Sequence, residues 1–163
     1  MTMIEKAVLI VCTFAVWYTH DVHADTYLDV NGISVHSLDY FTYEGRASKF
    51  NGSNVGLGIT TDLYKYVDGK AGFYKNSYYH QSTYAALNVH TESWYGIEPG
   101  ITVGFVSGYN NTPMHSGIVQ FYVIPNVAIR YKDLGVMVGY IPPMPGEVVP
   151  VSVVTVQFQY QIK

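Results

Sequence analysis

The feature that most constrains this chain is a strict period-two alternation of apolar and polar residues. In the stretch 53–63, Val55, Leu57, Ile59 and Leu63 alternate with Asn54, Gly56, Gly58, Thr60 and Asp62. Near the C-terminus, Val154, Val156, Phe158, Tyr160 and Ile162 alternate with Thr155, Gln157, Gln159 and Gln161. Successive side chains on a strand point to opposite faces, so each segment is a strand with one apolar face and one polar or small face. From Asp25 onward no segment carries sustained helical periodicity. Eight strands are predicted, at about 27–37, 53–66, 70–78, 82–92, 100–109, 118–131, 134–141 and 151–162. The fold class is therefore all-β, with one domain over 25–163.

Alternation alone fits two architectures. A soluble sandwich or lipocalin turns the apolar set inward, whereas a membrane barrel turns it toward lipid. Connection lengths favour the second. The links at 67–69, 93–99 and 132–133 are short, while 38–52, 110–117 and 142–150 are long and rich in Gly, Asn, Ser and Pro. Apart from a brief link at 79–81, long and short links fall on opposite ends. Outer-membrane barrels have that asymmetry, and tilted strands of about ten residues cross a bilayer. The prediction is an eight-stranded antiparallel outer-membrane β-barrel, whose lumen has room only for side chains or one slender ligand. A soluble periplasmic barrel that carries a lipid is the reading left if the apolar face is inward.

Residues 1–24 have the pattern of a cleaved export signal: Lys6, the apolar run Ala7 to Tyr18, and Val22-His23-Ala24 before the cleavage point. Removing them leaves eight basic and ten acidic residues, fifteen tyrosines, one tryptophan (Trp94) and no cysteine, since Cys12 lies inside the signal. No disulfide or thiol chemistry is then available. A net charge near −2 gives no electrostatic footprint for nucleic acid. Abundant tyrosine, with an apolar ring and a polar tip, suits membrane interfaces. His36, His80, His90 and His115 are widely spaced without paired acidic partners, so no metal site is expected. Gly56-Leu57-Gly58 is not followed by a helix, so a nucleotide loop is not expected, and no cofactor is predicted. Small residues at 56, 58, 72, 85, 86, 100 and 104 thin the barrel interior, making space for an acyl chain or for large tyrosines opposite.

Three polar residues fall at strand ends on the long-link side. His36 closes the first strand, and Asn76 and Ser77 close the third. These strands are not neighbours, but in so narrow a barrel their ends can converge across the mouth. Histidine beside serine is the pairing of acyl transfer, in which imidazole takes the hydroxyl proton and a third group orients the ring. A polar lining of a barrel mouth is the plainer reading of the same residues. Pro125, inside a strand, has no amide donor and leaves a gap in the ladder or marks an edge.

The order of these features resembles the lipid A palmitoyltransferases of the outer membrane (the PagP family). Val35-His36 stands where that family has a histidine-bearing strand end, and Asn54-Val55-Gly56-Leu57-Gly58 is similar to its glycine-rich strand. Lys75-Asn76-Ser77 stands at its Lys-Asp-Ser position, and Gly100-Ile101-Thr102-Val103-Gly104-Phe105 resembles its fifth strand. Tyr122-Val123-Ile124-Pro125 and Tyr140-Ile141-Pro142 resemble its two proline-bearing segments. The resemblance implies a monomeric outer-membrane enzyme that moves a fatty acyl chain from a phospholipid donor to lipid A. It implies His36 as general base, Ser77 as nucleophile or ester-polarising hydroxyl, and Asn76 as a source of an orienting or oxyanion hydrogen bond. Pro125 and Pro142 would open a lateral gate for the lipid chain. The chain departs from the family in carrying Asn76 for its aspartate, with Asp39 or Glu44 as candidate substitutes, and in having no amphipathic helix before His36. The alternative within the same scaffold is a non-catalytic barrel whose external loops bind or block a partner at the cell surface.

Overall fold

The computed structural model describes residues 25–43, 45–109, 119–143 and 151–162. Residues 1–24, which include Cys12 and are expected to be an export signal, lie outside the described residues, as do the candidate carboxylate Glu44 and the fourth histidine, His115. Ten strands are described: β1 Thr26–His36, β2 Tyr40–Tyr43, β3 Arg46–Lys49, β4 Ser53–Tyr64, β5 Val67–Lys75, β6 Gln81–His90, β7 Ile97–Ser107, β8 Val119–Tyr131, β9 Leu134–Ile141 and β10 Val153–Ile162. Eight of them close into an antiparallel barrel in the order β1-β10-β9-β8-β7-β6-β5-β4. The seam is β1 against β10, from Thr26↔Ile162 to His36↔Val153. The strands β2 and β3 pair only with each other, forming a hairpin where the sequence predicts a plain loop. The third predicted strand, 70–78, is observed as Val67–Lys75, which moves Asn76 and Ser77 into the turn after it.

The alternation resolves into an inside and an outside. Leu57, Ile59, Ile101, Phe105, Val123, Ile129, Val154 and Phe158 are exposed on the outer wall. Asp29, Thr60, Asp68, Asn88 and Gln159 are almost wholly buried in the lumen. An apolar exterior around a polar interior is the arrangement of a transmembrane barrel and the reverse of a soluble one. Tyr64, Trp94, Tyr95 and Tyr131 stand exposed at the short-turn end, where aromatic rings bridge hydrocarbon and headgroups.

The lumen divides along its axis. Its short-turn half is filled by bonded polar groups. Asp29 accepts from Thr60 Oγ1 at 2.6 Å and from Gln159 Nε2 at 2.9 Å. Arg130 pairs with Glu98 at 2.6 Å and approaches Asp68 at 3.6 Å, while Asn88 Nδ2 donates to Asp68 at 3.1 Å. Buried charge is tolerated chiefly when it is paired and hydrogen-bonded. Here each charge of the plug has an ion-pair or hydrogen-bond partner, while Arg130 Nε and Nη2 and Gln159 Oε1 make no hydrogen bond among the described residues. At Gly58 and Gly72 an added Cβ would meet the Tyr84 hydroxyl. These glycines therefore make room for a tyrosine crossing the lumen, one of the two readings of the small residues.

One local irregularity sets which way the mouth residues face. Tyr27, Asp29 and Asn31 point inward, yet so do Ser34 and His36, which have the opposite parity. A β-bulge at Gly32 inserts one extra residue between Asn31↔Gln157 and Ile33↔Val156. A shift of one residue exchanges the faces of everything beyond it. Without the bulge His36 would point into hydrocarbon.

The inside–outside assignment has a direct test. Leu57→Arg, on the outer wall, should destabilise the barrel in lipid vesicles by about 2–4 kcal/mol near the bilayer midplane, measured by urea unfolding.

Candidate active site

The β1 bulge aims His36 into the mouth, and the turn after β5 brings Ser77 to meet it. His36 Nε2 lies 2.8 Å from Ser77 Oγ, across two strands that are not neighbours. The imidazole is stacked on Phe50, with ring centroids 4.5 Å apart and planes within 6°. Phe50 belongs to a small apolar cluster with Phe41 and Val151, against which Tyr78 and Val153 pack. Thus Phe41 of the β2–β3 hairpin and Phe50 just after it fold onto the rim, and Phe50 fixes the plane of the imidazole.

Asn51 ties the two halves together. Its backbone N–H donates to Ser77 O at 2.8 Å, and its side-chain amide donates to Asn76 O at 3.0 Å. The adjoining Gly52 carbonyl accepts from Ser34 N–H at 2.9 Å, so the same short segment grips both β1 and the Ser77 turn. Phe50 and Asn51 were not among the sequence candidates. The signal was available in Phe50-Asn51-Gly52, a turn sequence directly after an aromatic residue at the end of a long link.

The orienting role expected for Asn76 is not what the geometry gives it. Its side chain is fully buried and makes no bond to His36. Nδ2 donates to Gly108 O at 2.8 Å and to Ser82 Oγ at 3.0 Å. Oδ1 accepts from Tyr78 N–H at 2.9 Å and His80 N–H at 3.0 Å. All four of its bonds are therefore used to shape the turn that presents Ser77, and Asn76 acts on the site through the backbone. Asp39, the other candidate substitute for the family's aspartate, is exposed and makes no side-chain bond to His36. Among the described residues no carboxylate orients His36; stacking on Phe50 is what restrains it.

Below the pair a cavity of about 570 Å³ runs into the long-link half of the lumen. This is within the range of about 300–1,000 Å³ typical of ligand sites. His36 and Ser77 stand at its mouth, Tyr84, Tyr122, Ile124 and Val106 along its wall, and Lys70 with Gln157 at its foot. Tyr74 and Tyr109 share a hydrogen bond of 3.1 Å at one side. Tyr109 lies beyond the end of β7, where burial pushes its hydroxyl up to about 12, so it stays protonated.

Among the described residues the strand pairing around this cavity is incomplete. The strand β8 pairs with β7 from Val119 to Ile129, but with β9 only from Asn126 to Tyr131. Among the described residues Val119 to Pro125 thus have no ladder partner on the β9 side, and Tyr140 and Ile141 pair only with β10. Pro125, which lacks an N–H, stands at the residue where the β8–β9 ladder stops. The cavity is bounded here by Phe121 and Val123, residues of the outer face. Pro142 also borders it, but follows the last residue of β9 rather than lying within that strand.

No protein-family model matches this chain, and no curated protein matches it in sequence. Among solved structures it is similar to a barrel from "De novo design of transmembrane beta-barrels", with a TM-score of 0.58 over 85% of this chain and 95% of that one, at 14% identity. The shared fold is a closed eight-stranded antiparallel barrel of transmembrane type.

The four bonds of Asn76 give a sharp expectation. Asn76→Asp places a carboxylate against the Gly108 carbonyl and removes a donor. Stability should fall by about 1–3 kcal/mol, the cost of leaving a buried polar group unpaired. A denaturant titration of the folded barrel in detergent, compared with wild type, measures it.

Proposed function

We propose that this barrel is an outer-membrane acyltransferase that moves a fatty acyl chain from a phospholipid to lipid A. The observation that carries this reading is the 2.8 Å contact between His36 Nε2 and Ser77 Oγ at the mouth of an apolar cavity. In the forward step the Ser77 hydroxyl donates its hydrogen bond to Nε2 and attacks the ester carbonyl as its proton passes to the imidazole. That proton then goes to the departing glycerol oxygen, leaving the acyl group on Ser77. A hydroxyl of lipid A, deprotonated in turn by His36, takes the acyl group and restores the serine.

The cavity and the open upper β8–β9 seam fit such a substrate. An acyl chain that lies in the membrane reaches the lumen most directly through a wall with no ladder to cross. The gap at Val119 to Pro125 supplies that route, with apolar side chains on both of its faces. Pro125 and Pro142 are its gate residues in this reading, since neither has an N–H that requires a partner on the opposite strand.

A second reading has its own observation in support. Asn76 is wholly engaged in its turn, and no carboxylate among the described residues bonds His36. A barrel that keeps the scaffold without the reaction, using its external loops to bind or block a partner at the cell surface, has no need of such a carboxylate.

Mass spectrometry of lipid A from cells expressing the protein separates the two. The transferase reading expects an added acyl chain in the wild type. His36→Ala and Ser77→Ala should each reduce it by about 10²-fold or more, the usual contribution of a positioned acid–base group. An unchanged lipid A pattern in cells making folded wild-type barrel rejects the transferase and leaves the non-catalytic barrel.

A further inference from the structure

The foot of the cavity is chemically unlike its wall. Lys70 points inward from β5 and is 7% exposed. Its Nζ donates to Gln157 Oε1 at 2.7 Å and to Met137 Sδ at 3.1 Å, both uncharged, and a thioether is a weak acceptor. No carboxylate among the described residues forms an ion pair with it. Asp29 is occupied by Thr60 and Gln159, and Asp68 by Asn88, His90 and Arg130. An amino group here borders the cavity on one side and the bonded polar plug on the other.

We propose that the cavity binds a free long-chain fatty acid with its carboxylate at the foot, against Lys70. Such a ligand satisfies both parts of the lumen at once. Its hydrocarbon chain lies along Tyr122, Ile124 and Val106, and its carboxylate gives Lys70 the anionic partner that the surrounding residues do not. Charge-assisted hydrogen bonds of this kind are about twice as strong as neutral ones, and more so out of water. An ester held at the rim would instead present a methyl end to Lys70. The free acid therefore lies end for end relative to the acyl chain of the transfer reaction, and this binding does not depend on that reaction occurring.

The test uses the full chain refolded in non-ionic detergent, with hexadecanoate and hexadecanol as paired probes. Hexadecanoate should bind about tenfold or more tightly than hexadecanol, the worth of a hydrogen bond to a charged group. With hexadecanoate labelled with carbon-13 at its carboxyl, binding should shift the carboxyl resonance. Lys70→Met, which keeps an unbranched apolar stem, should remove the preference while leaving hexadecanol binding in place. Equal affinity of the wild type for acid and alcohol, or binding of neither, overturns the proposal whether or not the variant folds. Acid-selective binding that survives in a folded Lys70→Met barrel overturns it too. Lipid A acylation is read separately, so failure of one claim leaves the other standing.

Discussion

The structure depends on one constraint: backbone N–H and C=O groups facing hydrocarbon must find partners within the protein. A sheet with two free edges cannot meet it, so the first strand must pair with the last, as β1 does with β10 along its whole length. Closure with eight strands leaves a narrow lumen, and polar groups on the inner face then draw their partners chiefly from other inner-face residues. The plug of Asp29, Asp68, Glu98, Arg130 and their amide and hydroxyl partners is the consequence. Among the described residues the longest unpaired stretch is at the upper β8–β9 seam, and there the chain carries a proline.

Function would be built from departures from this regular wall. The bulge at Gly32 turns His36 from the lipid side to the lumen side. Phe50, directly after the β2–β3 hairpin, holds the ring, and Asn51 fastens the Ser77 turn beside it. Glycines on the inner face of β4 and β5 leave room for Tyr84, which forms part of the cavity wall. Each device re-aims or makes room for a side chain at little cost to the ladder, because each sits at a strand end, a turn or a glycine.

Much of this was legible in the residues. The alternation of Val55 to Leu63 and of Val154 to Ile162 is a local property, and it located the barrel strands to within about three residues. The meeting of His36 and Ser77 followed from counting strands and asking which ends share a rim. Three things were not legible. The hairpin β2–β3 is short and its Arg46 to Lys49 strand is exposed throughout, so it has no apolar periodicity to betray it. The role of Asn76 depends on Gly108, Ser82 and His80, contacts that only the folded turn creates. The bulge left a trace, since apolar positions change parity between Val30 and Ile33. That trace becomes meaningful only once two neighbouring strands fix the register.

The barrel is closed with its apolar residues facing lipid, and among the described residues the β8–β9 ladder is interrupted above Asn126. Backbone NMR of the protein in detergent micelles tests this arrangement most directly, through amide and Hα contacts between neighbouring strands. The account predicts contacts between Val30 and Phe158 and between Val127 and Val138, and none between Val123 and any residue of β9. Loss of the β1–β10 contacts in the folded protein, or a continuous β8–β9 ladder through Pro125, would contradict it.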